Sequence, residues 1–202
     1  MPNVTTDPLA TQAFASTAEW QAWLISNHTA SPGLWLKLAK KSSGIESVTY
    51  AQALDVALCY GWIDSQKNKF DEQYWLQRFG PRKARSKWSM VNRQKVAVLI
   101  ELGAMQPAGL REIEQAKADG RWDAAYPSQS TASVPDDLQL ALDKNTVAAK
   151  HFAALTRSER YAILFRIHDA KKPETRTRRI EKYVDLLSKG NGEKISLWKS
   201  AS

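Results

Sequence analysis

The amino-acid sequence predicts an α+β protein: a small antiparallel sheet of about three strands with helices, followed by a C-terminal helical bundle. Two observations predict this fold class. Segments that alternate apolar and polar residues occur only in the first half of the chain, whereas everything after residue 134 has helical spacing alone. The 202 residues are 43% apolar and 25% charged, which suits one globular domain, or one domain with a small appendage.

Composition and turn signals divide the chain into five segments. Residues 1–15 contain two prolines and a Thr/Ala-rich stretch, as chain termini often do. Pro and Ser mark residues 123–134 as a linker. The predicted order is a flexible N-terminal arm, an α+β domain, a linker, a helical domain and a tail in which Trp198 could dock back: residues 1–15, 16–122, 123–134, 135–190 and 191–202.

The elements of the first half are marked by caps and alternation. Residues 16–19 form a capping box, and tryptophans and a leucine follow it at helical spacing. Residues 34–41 place three leucines on one face, which predicts a strand. A second capping box at residues 49–52 opens a helix that Gly61 ends in a left-handed cap.

A hairpin, two helices and the C-terminal bundle follow in sequence order. The period changes to two after Gly61, so residues 62–66 and 74–79 are predicted strands joined by the polar loop 67–72. Helices are then predicted after Ser89, which can cap the first of them, to residue 102 and from Pro107 to the residue before Gly120. Later helices open at Pro135, at a capping box over residues 156–159 and at Pro173, and the last one ends at Gly190.

Several features bound the location and the chemistry. The longest apolar run, residues 97–102, is far shorter than the roughly 20 residues that a membrane span needs. The N-terminus has no basic start followed by an apolar stretch, so we expect no signal peptide and a cytoplasmic protein. Cys59 is the only cysteine and lies in an apolar helical segment, which predicts a buried packing residue rather than a nucleophile.

The net charge of +8 permits three kinds of partner. A basic surface can bind nucleic acid, an acidic protein or a small anionic ligand, and it can also serve solubility alone. A basic cluster in the last predicted helix invites the first two readings, although a solvated face is the commoner explanation. Its members are Lys171, Lys172, Arg176, Arg178, Arg179 and Lys182. Cations in a helix's first half oppose the helix dipole, which points to an acidic partner within or outside the chain.

The segment from residue 49 to residue 93 is the most informative part of the chain. It contains three tryptophans among eight Lys and Arg, a combination that suits a flat or anionic ligand. The turn and helix start at residues 79–89 would offer free amides, hydroxyls and guanidinium groups to a phosphate or carboxylate. The predicted ligand-binding residues are Trp62, Asp64, Trp75, Arg78, Arg82, Arg85, Ser86 and Trp88. The alternative is a basic surface loop whose tryptophans pack in the core.

Asp64 is the only candidate for catalysis. It could orient a ligand or act as a general base, or it could be a structural ion pair or a turn cap. The standard phosphate-loop, dinucleotide, zinc-protease, redox-cysteine and nucleophile-elbow motifs are absent, which leans against an enzyme. The three histidines, His28, His151 and His168, are far apart in sequence, so we expect no metal site and no cofactor.

Two stretches resemble a known family. They read GWIDSQK…YWLQRFGPRKARSKWSMVN and LTRSERYAILFRIHDAKKPETRTRRIEKYVDLL. Together they resemble the bacterial YdeI/OmpD-associated proteins, also called the bacteriocin-protection or OmdA family, over about residues 20–187. The resemblance implies a role in stress or antimicrobial-peptide resistance and supplies no catalytic residues. The leading hypothesis is a protein of this type that binds a small anionic ligand; a nucleic-acid-binding module, an enzyme with Asp64 as general base and a protein-interaction adaptor remain open.

Overall fold

The computed structural model describes residues 9–189, which form two compact units. The N-terminal unit contains the described residues up to Trp88 and residues 92–125, and the C-terminal unit contains residues 89–91 and 126–189. Among the described residues the structure is α+β, with one four-stranded sheet and eight α-helices, so the predicted fold class is confirmed. Residues 1–8 of the predicted arm, the Gly190 helix end and the predicted tail with Trp198 lie outside the described residues.

The N-terminal unit is built on a mixed sheet with strand order β1-β2-β4-β3. Strand β1 is parallel to β2, and the other two pairings are antiparallel. The strands are β1 Thr11–Ala13, β2 Leu34–Ala39, β3 Trp62–Lys69 and β4 Tyr74–Pro81; the helices are α1 Thr17–Asn27, α2 Tyr50–Cys59, α3 Met90–Glu101 and α4 Pro107–Ala118.

Strand β1 was not predicted, because it lies within the stretch that the sequence marked as a loose arm. Its three residues are exposed and too few to show a period of two. It is held only by pairing with β2, so the sheet has four strands and is mixed rather than fully antiparallel.

Local hydrogen bonds explain where the predicted helices begin. Both halves of the capping box are present at Thr49 in front of α2. At α1 the Ser16 side chain accepts a hydrogen bond from the Glu19 amide, but the Glu19 carboxylate accepts from the Ala15 amide rather than from the cap residue. Gly61 follows α2 with φ +73°, the left-handed conformation that the sequence predicted.

The hairpin is longer than predicted. Strand β3 runs to Lys69, and the turn that follows is held by the Asp71 carboxylate, which accepts hydrogen bonds from the amides of Gln73 and Tyr74 at 2.8 and 2.7 Å. The outer half of β3 is polar and exposed, so it shows no alternation that would mark it as a strand.

The core of the N-terminal unit is rich in tryptophan. The leucines predicted to share one face of β2 are buried there with side chains from α1 and α2. The indole rings of Trp20 and Trp23 stack at 5.4 Å, and Trp62 meets both edge-on at 6.3 and 5.7 Å. Truncating one such ring to alanine typically costs about 3–5 kcal/mol, so these rings contribute much of the unit's stability.

The C-terminal unit is a group of four helices with its own apolar core. The helices are α5 Asp136–Asp143, α6 Thr146–Ala154, α7 Arg157–His168 and α8 Pro173–Ser188. Asn145 caps α6 through its side chain, and Thr156 forms the predicted capping box of α7. The core residues include Leu138, Leu142, Phe152, Ile163, Ile167, Ile180, Tyr183 and Leu187.

No helix within residues 9–189 is both long enough and apolar enough to cross a membrane. The limits of the five segments predicted from the sequence stay predictions, and so does the cytoplasmic location.

Candidate functional site

The basic turn, residues 82–88, is anchored from inside by Arg82. This arginine is 7% exposed, and its guanidinium lies 3.7 Å from the ring centre of Trp88. Its Nη1 donates to the Lys87 carbonyl at 3.3 Å, and its backbone amide donates to the Gly61 carbonyl at 3.0 Å. Arg82 therefore ties both ends of the turn to the body of the N-terminal unit.

Gly61 is needed at this anchor for two reasons. Its positive φ disfavours other residues, and a Cβ there would lie 3.0 Å from Cγ of Glu112 and 3.1 Å from the Ala108 carbonyl oxygen. The close approach of α4 to Gly61 therefore helps to fix the acceptor to which the Arg82 amide donates.

Ser86 and Arg121 fix the outer part of the basic turn. The Ser86 hydroxyl accepts a hydrogen bond from the Lys83 amide at 2.9 Å, and the Ser86 amide donates to the Lys83 carbonyl at 2.8 Å. The Ser86 carbonyl in turn accepts from Nη1 of Arg121 at 3.0 Å. The Ser86 hydroxyl is thus used to close the turn.

Lys83 and Arg85 are exposed at the outside of the basic turn. Seven Lys and Arg lie between Glu72 and Glu101 with no acidic residue among them. Among the described residues, the backbone amides of Ala84 and Arg85 donate to no backbone or side-chain acceptor. Lys87 is exposed as well, so the turn combines three exposed cations with two available amides.

Carboxylates near the turn lie at its base. Asp119 pairs with Nε of Arg121 at 2.7 Å. Burial raises the pKa of the Glu112 carboxyl, and the charges of Arg121, Arg82 and Arg111 oppose that rise. These acids balance the inner arginines, so the positive charge of the turn is concentrated outside.

A tryptophan pair supports the basic turn from below. Trp88 meets Trp122 edge-on at 4.9 Å, and the guanidinium of Arg93 lies 4.9 Å from the Trp122 ring centre. Cations thus cover both indoles of the pair, since Arg82 lies over Trp88.

Asp64 and Trp75 belong to a second group, which lies along one face of the β3–β4 hairpin. The Tyr50 hydroxyl donates to Oδ2 of Asp64 at 2.9 Å, and the Tyr50 and Trp75 ring centres are 6.2 Å apart at an angle of 45°. The Lys67 ammonium lies 4.3 Å from the Trp75 ring centre. We call these four residues the hairpin cluster.

A β-bulge brings Asp64 and Lys67 to the same face of the sheet. Residues three apart in a regular strand point to opposite faces. Here Asp64 pairs with Phe79 and Lys67 pairs with Gln77, so the register shifts by one residue between them. Phe79, Gln77 and Trp75 are every second residue of β4 and therefore share one face of the sheet. The bulge thus places the side chains of Asp64 and Lys67 on the same face as Trp75.

The structure divides the residues of the predicted site and buries three of them. Trp62 is 1% exposed and donates its indole N–H to the His28 carbonyl, so neither ring face is open to a ligand. Trp88 is 2% exposed and packs under Arg82, which itself is an anchor rather than an exposed ligand-binding group. Core packing explains the positions of the two tryptophans, since large aromatic rings gain most by leaving water.

Arg78 is separated from Asp64 by the sheet. It pairs with Trp35 of β2, next to Phe79, and so lies on the face opposite to Asp64. Its Nη1 donates to Oε1 of Gln66 at 3.4 Å. The structure therefore brings Arg82, Arg85, Ser86 and Trp88 together in one place and Asp64 and Trp75 in another, with Trp62 in the core.

The C-terminal basic cluster is partly structural. Arg176 donates to both carboxylate oxygens of Asp137, at 2.5 and 2.9 Å, and to the Ile167 carbonyl at 3.0 Å. Arg179 donates to the Arg166 carbonyl. The acidic partner suggested by the unfavourable dipole position is thus found within the unit for Arg176, while Lys171, Lys172, Arg178 and Lys182 are exposed.

The N-terminal unit contains one buried thiol, that of Cys59. Cys59 is buried, as predicted, and burial together with the nearby Asp55 raises the pKa of its thiol to about 11. At neutral pH the thiol is protonated and therefore a poor nucleophile. Within residues 9–189 no group of three or more His, Cys, Asp or Glu side chains could hold a metal ion.

Sequence reasoning missed Tyr50, Lys67, Arg121 and Trp122. Tyr50 stands inside a capping-box motif and Lys67 inside a predicted loop, so neither carried a ligand signal. The sequence does show that no Asp or Glu lies between Glu72 and Glu101, and this feature could have indicated the basic turn. Contacts of Arg121 and Trp122 with that turn depend on long-range packing, which no local pattern shows.

Fold and site together define an α+β protein with an anchored basic turn and a separate helical unit. Two family models match it: a domain of unknown function (DUF8412) over residues 12–112, half of the chain, and the family described as bacteriocin-protection, YdeI or OmpD-associated (OmdA) over residues 131–190. The chain belongs to the DUF8412 family and carries an OmdA domain after it. No curated protein and no solved structure matches the chain.

The OmdA resemblance is confirmed, and the matches divide its two motifs. The arginine-rich motif of α7 and α8 lies inside the OmdA match. The motif that spans β3, β4 and the basic turn lies inside the DUF8412 match instead.

Proposed function

We propose that this protein binds a small anionic ligand on the outer surface of the basic turn. The observation that carries the proposal is that some cations hold the backbone of the turn while others are exposed to solvent. Arg82 and Arg121 hold its backbone from inside, while Lys83 and Arg85 are exposed with no acid nearby in sequence. A backbone that is already fixed loses less entropy when it binds a ligand.

The chemistry favours a phosphate or carboxylate group. Arg85 can meet such a group with two parallel hydrogen bonds, and Lys83 adds a point charge. The amides of Ala84 and Arg85 offer further donors of the kind that turns present to anions. Positive charge and hydrogen-bond donors are what this surface offers, so the proposed function is binding.

The cellular role that we assign to this binding is stress or antimicrobial-peptide resistance. Support comes from the description of the OmdA family as bacteriocin-protection proteins. The basic turn lies in the DUF8412 part of the chain, so in this proposal the N-terminal unit supplies the ligand site of a resistance protein.

A thermal-shift titration with inorganic pyrophosphate tests the site. Saturating ligand, at about 100 times Kd, should stabilise the wild type by about 2.7 kcal/mol. The double variant Lys83→Ala/Arg85→Ala should lose this shift. The matched control Lys41→Ala/Lys150→Ala removes two exposed lysines elsewhere and should keep it. Equal shifts in both double variants would refute the site.

A nucleic-acid role has less support because the positive charge is not concentrated in one unit. Residues 9–125 carry 15 basic and 11 acidic side chains, and residues 126–189 carry 12 and 8. Binding of an oligonucleotide that falls steeply with salt and survives Lys83→Ala/Arg85→Ala would favour that role. No contact within the described residues favours the enzyme or the adaptor hypothesis over anion binding.

A further inference from the structure

The hairpin cluster is independent of the basic turn and has the features of a second binding site. Tyr50, Asp64, Lys67 and Trp75 come from α2, β3 and β4, and the bulge in β3 is what aligns the two charged side chains with the indole. Bulges that redirect a side chain recur beside functional sites.

The aromatic rings of the cluster form one platform and one wall. Trp75 packs on the core with part of its ring system and is only partly buried. Tyr50 is 38% exposed and inclined at 45° to Trp75. Rings at this angle cannot enclose a flat molecule between parallel faces. The two inclined rings leave an open angle between them. A ligand can pack one apolar face on Trp75 and contact Tyr50 with one edge.

The polar groups of the cluster are complementary to hydroxyl groups. Asp64 only accepts hydrogen bonds, and Lys67 only donates them. The Tyr50 hydroxyl fixes Oδ2 of Asp64, while Oδ1 accepts no hydrogen bond among the described residues. A hydroxyl both donates and accepts, so two adjacent hydroxyls can satisfy Asp64 and Lys67 together.

The charge of the cluster selects a neutral ligand. The charges of Asp64 and Lys67 balance each other. The carboxylate repels an anion, and the ammonium repels a cation. A pyranose ring is neutral, has an apolar face of C–H bonds and carries adjacent hydroxyls at its edge. We propose that the hairpin cluster binds a neutral pyranose sugar, with its C–H face on Trp75 and two hydroxyls on Asp64 and Lys67.

Binding requires Lys67 to move from the face of Trp75 to its rim. The ammonium lies over the Trp75 ring in this structure, but Lys67 belongs to the exposed outer half of β3. A cation–aromatic contact at an exposed site is weak, so a sugar ring can displace it.

Saturation-transfer-difference NMR on the full chain tests the site with the methyl pyranosides of glucose, galactose, mannose and N-acetylglucosamine. We expect saturation of the protons on one face of at least one of them. Asp64→Asn, which keeps the side-chain shape, should weaken binding by about tenfold, the effect of losing one charged hydrogen bond. Trp75→Ala should abolish it. Asp123→Asn is the matched control at an exposed aspartate and should leave binding unchanged.

Two results would overturn the proposal. One is the absence of saturation transfer from the folded wild type to any of the four pyranosides. The other is a signal of equal strength in wild type and Asp64→Asn. Adenosine 5′-monophosphate is included as a planar anion. A neutral-sugar site is also contradicted if this nucleotide binds in a way that depends on Trp75 while none of the sugars binds. Lys83→Ala/Arg85→Ala should bind the sugar normally, which separates this test from that of the basic turn.

Discussion

Two arginines of the basic turn differ in burial and therefore in role. Arg82 is enclosed by Trp88 and the Lys87 carbonyl, whereas Arg85 is exposed three residues later. A buried guanidinium that is stacked and hydrogen-bonded supports the fold, and an exposed one is available to a ligand. The same residue type thus serves structure and binding within one turn.

This difference predicts opposite consequences for two substitutions. Arg82→Ala should lower the free energy of unfolding by about 2–3 kcal/mol, because it removes a buried hydrogen bond and the contact with Trp88. Arg85→Ala should change it by less than about 0.5 kcal/mol, as at most exposed sites. Urea denaturation followed by tryptophan fluorescence measures both. Equal losses in the two variants would contradict the assignment of Arg82 as the anchor.

The sequence indicated which residue types could form a ligand site, but it did not indicate which of those residues are buried. Arg82 and Arg85 stand in one basic run, and nothing local shows that the first turns inward onto Trp88. Trp62 and Trp75 likewise look equivalent in the hairpin sequence. Long-range contacts bury Trp62 against α1 and leave Trp75 beside Tyr50, so the candidate site had to be divided.

Arginines at the start of α8 compensate for the end of α7. Cations in the first turns of a helix oppose its dipole. Here Arg176 and Arg179 donate to carbonyls at the last turn of α7, where positive charge is favourable, and Arg176 also binds Asp137 in the first turn of α5. The motif that identifies the OmdA part of the chain thus joins three helices.

Removing Arg176 should weaken this junction. Arg176→Ala is expected to lower the free energy of unfolding by about 1–2 kcal/mol, less than a buried ion pair because both partners are partly exposed. Arg178→Ala, on the exposed side of α8, is the control and should have almost no effect. Urea denaturation followed by circular dichroism compares them, and equal stability of the Arg176 variant and the wild type would contradict the role of this residue.

The Asp137–Arg176 pair also predicts a dependence on pH. The hydrogen bond from Arg176 lowers the pKa of Asp137 in the folded state. A carboxyl whose pKa is lower in the folded than in the unfolded state stabilises the fold above its unfolded pKa, about 3.9, and loses that contribution as the pH falls. The stability difference between wild type and Arg176→Ala should therefore shrink below about pH 4. A difference that stays constant down to pH 2 would contradict this.

Elements with strong local signals were predicted well, and elements made by pairing were not. The capping boxes of α2 and α7 are present as predicted, because their hydrogen bonds join residues only three apart. Strand β1 and the bulge in β3 depend on partners elsewhere in the sheet. For that reason the sequence indicated Asp64 and Trp75 but did not group them with Tyr50 and Lys67.

The whole molecule consists of two units with separate cores, and the two family matches fall one in each. Residues 12–112 lie in the N-terminal unit apart from residues 89–91, and residues 131–190 correspond to the C-terminal unit. Both units carry a positive balance of similar size, so the net charge alone does not indicate where a ligand binds. The arrangement of charges within the basic turn carries that information.

Limited proteolysis tests the predicted boundary between the units. Residues 129–131 and Ser133 are exposed and lie within the predicted linker 123–134. Proteinase K should cut there first and leave two resistant fragments, because each unit has its own core. Mass spectrometry of the fragments locates the cut. An early cut inside a core element would contradict the predicted boundary.

The most direct test of anion binding is an NMR titration of the ¹⁵N-labelled full chain with pyrophosphate. The proposal predicts saturable shifts that are largest at the amides of Ala84 and Arg85, and their loss in Lys83→Ala/Arg85→Ala but not in Lys41→Ala/Lys150→Ala. Shifts centred on another part of the chain, or none that saturate, would contradict the basic turn as the ligand site.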